Sequence, residues 1–96
     1  MAVKIVYFGP LKSIVGVDEE FISIEKSKIT MREIIEEISR RHGGQLKTMF
    51  IHGNGSNRGI NIFVNGEHIL EKRDLETVVE DQSEVSIVLV SQAAGG

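Results

Sequence analysis

The segment Ile29-Thr30-Met31-Arg32-Glu33-Ile34 constrains this chain more than any other. Thr30 and Glu33 are spaced as a capping box. The Thr30 hydroxyl can accept from the Glu33 N–H while the Glu33 side chain reaches back to the Thr30 N–H. Ile29 before the cap and Ile34 after it are spaced as a hydrophobic staple. Met31, Ile34, Ile35 and Ile38 then recur at i, i+3, i+4 and i+7, a single apolar stripe. Arg40, Arg41 and His42 suit the negative end of a helix dipole, and Gly43 suits an αL terminator. The pattern predicts a helix over about 30–42, whose one stripe must bury against another element.

Most of the remaining apolar segments read as strands. Residues 3–8 are β-branched and aromatic and end at Gly9-Pro10. Alternation sets Val3, Ile5 and Tyr7 on one face, with Lys4, Val6 and Phe8 on the other. After a loop through Gly16, residues 21–24 predict a second strand, antiparallel to the first. Residues 45–51 fit a short helical turn, and 53–59 a polar, flexible loop. Residues 60–64 predict a strand, Asn65-Gly66 a type I′ hairpin turn, and His68-Ile69 a short return strand. Residues 70–84 are mixed and charged, and residues 84–90 form the last strand. The order β-β-α-β-(β)-β, with one principal helix, predicts an α+β fold: a mixed sheet of four to five strands with the helix packed on one face. That topology is the β-grasp. It would occupy residues 1–90, leaving 91–96 as a flexible tail.

Ninety-six residues leave little interior for a second core. The net charge of −3 argues against a nucleic-acid partner, because counterion release needs clustered Lys and Arg. Arg40-Arg41-His42, the densest basic run, also reads as a charged last helical turn. With no cysteine, disulfides, thiolate catalysis, Cys-ligated zinc and iron–sulfur clusters are excluded together. No signal-peptide core follows Met1, and no apolar run approaches the roughly 20 residues of a membrane helix. The expected location is cytoplasmic.

Other motifs carry little chemistry. Gly53-x-Gly55-x-x-x-Gly59 has a strand after it, where a phosphate-binding loop needs a helix N-terminus. His42, His52 and His68 do not share a helical face, so no metal site is expected. Asn54-Gly55-Ser56 is a glycosylation sequon with no secretory route to use it. Asp18-Glu19-Glu20 and Glu80-Asp81 read as solvated turn charges, since paired-carboxylate catalysis needs a cleft.

That leaves the end of the chain. At an average glycine usage near 7%, a terminal Gly-Gly pair has a chance of about 0.5%. The residues after the last strand, Ser91-Gln92-Ala93-Ala94-Gly95-Gly96, are small, uncharged and unbranched. Such a tail is narrow, and two residues without Cβ can thread a channel closed to other side chains. A terminal carboxylate is a poor electrophile until it is activated, for example as an acyl-adenylate. The catalytic machinery would then belong to a partner, consistent with a chain that shows no catalytic constellation.

Taken in order, several segments resemble the MoaD/ThiS family of ubiquitin-like sulfur carriers, the MoaD type above all. They are Val3-Lys4-Ile5-Val6-Tyr7-Phe8 followed by Leu11, Gly16-Val17-Asp18-Glu19-Glu20, the capped helix, Ile62-Phe63-Val64-Asn65-Gly66, Glu84-Val85, and Ala93-Ala94-Gly95-Gly96. The chain is also similar to archaeal and eukaryotic ubiquitin-related modifiers. The resemblance implies a non-catalytic carrier that holds no cofactor of its own. A MoeB-like adenylating enzyme would consume ATP to activate the Gly96 carboxylate, and sulfur transfer would convert it to a thiocarboxylate. In a MoaD-type protein the tail, with Gly95, then enters a MoaE-like large subunit and supplies sulfur for the molybdopterin dithiolene. Modifier relatives instead join lysines of target proteins, and tRNA thiolation is a further use of such sulfur.

Three departures stand out. The tail lacks the prolines common after the last strand of MoaD-type proteins. The usual Asp-Gly-Asp-Glu turn appears as Asp81-Gln82-Ser83-Glu84, and residues 52–59 look inserted relative to the shortest carriers. If Val85, Ile87 and Leu89 face the helix, Ser86, Val88 and Val90 face outward beside Val6 and Phe8. The resemblance places partner docking on this outer face, with Phe8, His68 and Val90 near its centre and Val88, Ala93 and Ala94 also in contact. Those outward valines could instead serve strand propensity alone. A β-grasp adaptor with an incidental tail is the third possibility, and it predicts that removing the tail preserves function.

Overall fold

The computed structural model describes residues 1–43, 60–69 and 75–89, without the side chains of Ile60 and Leu89. The helical turn expected at 45–51, the loop at 53–59, His52, and the tail residues Val90, Ala93, Ala94, Gly95 and Gly96 lie outside them.

Strand β1 (Ala2–Phe8) leads through Gly9-Pro10 into a short helix, α1 (Leu11–Val15). A loop was expected there. Five residues are too few for a periodic signal, and α1 is held by burying Leu11 and Val15. Gly16 closes it at φ +95°, donating its N–H to the Lys12 carbonyl at 2.7 Å. Strand β2 (Glu19–Ser23) pairs antiparallel with β1, placing Val3 opposite Ile22 and Ile5 opposite Glu20. It starts two residues earlier than the apolar pattern indicated.

Helix α2 (Met31–His42) carries the capping box as expected. Thr30 Oγ1 accepts from the Glu33 N–H at 3.3 Å, and Glu33 Oε1 accepts from the Thr30 N–H at 2.9 Å. Met31, Ile34, Ile35 and Ile38 are all fully buried. Gly43 ends the helix with a positive φ but with ψ at 151°, outside the αL region that was expected. Its N–H still satisfies the Ser39 carbonyl at 2.7 Å.

Strands β4 (Ile60–Val64) and β5 (Glu67–Ile69) form the expected hairpin. Asn65 and Gly66, at φ +52° and +85°, make the mirror-image turn that matches strand twist. Strand β7 (Glu84–Leu89) lies between β1 and β4, parallel to β1 and antiparallel to β4. The sheet order is β2-β1-β7-β4-β5. Two further strands, β3 (Lys28–Thr30) and β6 (Val78–Glu80), form a separate antiparallel ribbon beside the start of α2. Neither was legible in the sequence, since three residues give too short a run for alternation.

The helix stripe shares one apolar core with Val3, Ile5, Tyr7, Ile22, Ile62, Val85 and Ile87 from the inner face of the sheet. This is the helix-on-one-face arrangement that the stripe demands.

The charged segment at 18–20 does more than solvate a turn. Glu20 lies in β2, and its carboxylate accepts from Tyr7 Oη, from His42 Nε2 at 2.7 Å and from Arg41 Nη1 at 3.2 Å. Arg41 also donates to the Phe21 carbonyl at 3.1 Å and to Glu37 at 2.9 Å. The basic end of α2 is therefore spent on the edge of the sheet and on Glu37, not displayed as a patch. Burial would raise the Glu20 carboxyl, but the hydrogen bonds from Tyr7, His42 and Arg41 outweigh it and hold it below the ordinary glutamate value. Tyr7 is pushed well above a normal phenol by burial, reinforced by its bond to the Glu20 anion.

Candidate functional site

The site is built on the outer face of the sheet, and the strand alternation explains which side chains reach it. Along β1, Val3, Ile5 and Tyr7 go inward, while Phe8, 42% exposed, is left facing out. Along β7, Val85 and Ile87 are buried, and Ser86 and Val88 are only partly covered. Register then assembles the face in rows. Phe8 stands opposite Val88, and Val88 opposite Asn61, across β1, β7 and β4. In the next row come Glu19, Val6, Ser86, Phe63 and His68, one from each strand. Phe21, 61% exposed, lies beyond them beside Lys4 on the β2 edge.

Phe8 and Val88 are thus neighbours, on the outward side expected of them. Because β1 and β7 run parallel, both lie at the end of the sheet where β7 stops at Leu89 and residues 90–96 begin. His68 shares this outer face but does not lie near its centre. It is on β5, the edge strand farthest from β2. Its position follows from strand order: β7 inserts between β1 and β4, which moves the β4–β5 hairpin outward, and no local pattern encodes that insertion.

Sequence reasoning overlooked Asn61 and Phe63 as members of this face. Simple alternation along β4, with Ile62 buried and its neighbours outward, would have revealed both. His68 is held against them. Its ring stacks on Phe63 with centroids 4.8 Å apart and planes at 24°, and its Nε2 lies 3.0 Å from Asn61 Oδ1. Lys4 and Glu19 pair at 3.6 Å on the opposite side, both partly exposed to solvent, so their bond contributes little.

The turn that launches β7 is tied down on both flanks. Asp81 Oδ1 accepts from the Ala2 N–H at 2.8 Å, and the Gln82 N–H donates to the Ala2 carbonyl at 2.8 Å. The bond from Ala2 holds the Asp81 carboxyl below the usual aspartate value. On the other flank Asn65 Oδ1 accepts from the Glu84 N–H at 2.9 Å. Gln82 adopts φ +68°, a left-handed conformation that glycine takes most readily. The strand that leads to the tail is therefore anchored at its start and gripped by a strand on each side.

Among the described residues no group of three or more His, Cys, Asp or Glu side chains could hold a metal ion. Nor is any described helix long and apolar enough to cross a membrane.

A comparison with curated proteins gives no match. Solved structures are similar over nearly the whole chain. A putative molybdopterin converting factor subunit 1 from Pyrococcus furiosus is 28% identical, with a TM-score of 0.69, covering 95% of this chain and 99% of its own. The Amycolatopsis orientalis BexX/CysO complex includes a chain 25% identical, with a TM-score of 0.69, covering 93% of this chain and 96% of its own. SAMP1 from Haloferax volcanii, 14% identical, shares the fold with a TM-score of 0.74 over 95% of this chain and 97% of its own. The observed architecture is accordingly the ubiquitin-like β-grasp. The ThiS family model matches residues 5–96, and this chain belongs to that family of small sulfur carriers and ubiquitin-like modifiers.

Proposed function

We propose that this protein is a sulfur carrier, the small subunit of a molybdopterin synthase, and that its working group is the carboxylate of Gly96. The observation that carries this reading is the family match reaching residue 96, which brings Gly95 and Gly96 inside the shared pattern. The Pyrococcus furiosus relative, named a molybdopterin converting factor subunit, supports the finer assignment.

In this reading a MoeB-like enzyme joins the Gly96 carboxylate to the α-phosphate of ATP, releasing pyrophosphate. A sulfur nucleophile then displaces AMP and leaves a thiocarboxylate. A MoaE-like large subunit receives the tail, whose Ala93, Ala94 and Gly95 are small enough for a narrow channel. Phe8 and Val88, next to the point where residues 90–96 begin, form the centre of the docking face. An apolar face beside a reactive tail lets one partner bind the domain and act on its end together.

The test is intact-protein mass spectrometry after incubation with the adenylating enzyme, ATP and a sulfur donor. One oxygen of Gly96 should be replaced by sulfur, and a variant lacking Gly95-Gly96 should fold normally yet show no exchange. An unaltered Gly96 with a competent enzyme overturns the proposal. Gly96 joined to lysines of other proteins, with no thiocarboxylate formed, would make the chain a modifier instead. Unchanged function after tail removal would make it an adaptor.

A further inference from the structure

At the β2 edge of the sheet the last turn of α2 touches the backbone of the strand. Tyr7 N–H donates to the Asp18 carbonyl and Ile24 N–H to the Met1 carbonyl, each at 2.8 Å. Bonded residues alternate along an antiparallel pair, so Asp18, Glu20, Ile22 and Ile24 turn their backbone groups toward β1. The N–H and carbonyl groups of Glu19, Phe21 and Ser23 therefore point the other way, off the sheet. Such a row is a template for another strand. Among the described residues one side chain reaches it: Arg41, whose Nη1 donates to the Phe21 carbonyl at 3.1 Å. The same nitrogen donates to Glu20 at 3.2 Å and Nε to Glu37 at 2.9 Å, so the guanidinium is fixed over the middle of β2. The Phe21 ring beside it is 61% exposed.

We propose that Arg41 guards the β2 edge, and that the partner it holds off is β2 of a second copy of this chain. The strand is self-complementary about Phe21. Laid antiparallel on its own copy with Phe21 opposite Phe21, it sets Glu19 against Ser23 and Glu20 against Ile22, with no like charges directly opposed. The outward backbone groups of Glu19, Phe21 and Ser23 then bond in matched pairs, and the exposed Phe21 rings meet across the two strands. The strand contains no proline to interrupt that ladder. Arg41 opposes the pairing in two ways. Its guanidinium already occupies the carbonyl at the centre of the register. The two-fold axis through that centre would also bring the two Arg41 charges together. Phe21 stands in the row of Lys4, separated from Phe8 by the row of Val6. The guarded edge is therefore distinct from the end of the sheet where residues 90–96 begin.

Sedimentation velocity of the full chain tests this, with two variants: Arg41→Met, which keeps the alkyl stem and removes the charge, and Arg41→Ala. The unaltered protein should stay a monomer at every concentration, and its Phe21 amide should exchange with water faster than its Ile22 amide. Each Arg41 variant should form a concentration-dependent dimer, with an average mass rising toward about twice that of the monomer and a Phe21 amide newly protected from exchange. Adding Phe21→Lys sets like charges face to face at the centre of the register and should restore the monomer. Folded Arg41 variants that remain monomeric overturn the proposal. A dimer that survives Phe21→Lys does so too, since it uses another surface, as does an unaltered protein that already pairs through β2. Loss of folded structure in both Arg41 variants, read by circular dichroism, also overturns it, because Arg41 would then serve the fold and not the edge.

Discussion

Replacing Glu20 with alanine removes the acceptor through which β1, β2 and the last turn of α2 are joined. The three contacts are not of equal worth. Arg41 is 32% exposed and keeps its bonds to Glu37 and to the Phe21 carbonyl, so its share is that of a surface pair, about 0.5 kcal/mol. His42, 19% exposed, can turn partly to water, which limits its share to about 0.5–1 kcal/mol. Tyr7 is only 1% exposed, and its hydroxyl would lose its acceptor inside the core, at about 1–3 kcal/mol. Together the loss is about 2–4 kcal/mol. For a domain of this size that lowers Tm by about 8–30 °C. Tyr7→Phe removes the donor together with its need for a partner and should cost less than about 1.5 kcal/mol. Urea unfolding of the unaltered protein, both single variants and the double variant should give a coupling of about 1–2 kcal/mol between Tyr7 and Glu20. A Glu20→Ala loss below about 0.5 kcal/mol would refute the reasoning. So would strict additivity in the cycle.

Further outcomes follow from other parts of the fold. Gln82→Gly should stabilise the protein by about 0.5–1 kcal/mol in urea unfolding, because glycine adopts φ +68° without the Cβ clash. Thr30→Ala should cost about 1–2 kcal/mol by thermal or urea melts, since half of the capping box goes with the hydroxyl. Ile35→Ala, at a fully buried position of α2, should cost about 2–5 kcal/mol in the same assays, by lost transfer energy plus a cavity. The Glu20 and Asp81 carboxyls sit below their ordinary values in the fold, so their contribution is present above the unfolded pKa near 4 and is lost as pH falls through the folded values. Stability measured by urea midpoint should therefore decline below about pH 4, less steeply for Glu20→Ala. Tyr7, raised in the fold, acts at the other end: its contribution holds below the ordinary phenol value near 10 and is lost at higher pH.

What could be read from the sequence was whatever depends on near neighbours. The cap, stripe and length of α2 follow from residues three and four apart, and all are realised. The inward and outward faces of β1 and β7 follow from strict alternation, and Asn65-Gly66 announced its turn by composition. The relation of the chain to its family was visible in the same way, as short segments in a fixed order. Helix α1 and strands β3 and β6 were not visible, because three to five residues carry no period and exist only through what they pack or pair with.

The tertiary structure alone decided the rest. Glu20 reaches partners 13 to 22 residues away, so no local reading could lift it from a solvated turn to the clasp between helix and sheet. The insertion of β7 between β1 and β4 is likewise long-range: it brings Phe8 and Val88 together at the base of the tail, and carries His68 to the sheet edge against Phe63 and Asn61. Side-chain period sets which face a residue takes, but strand order sets its neighbours on that face, and strand order rests on pairings between residues far apart in the chain.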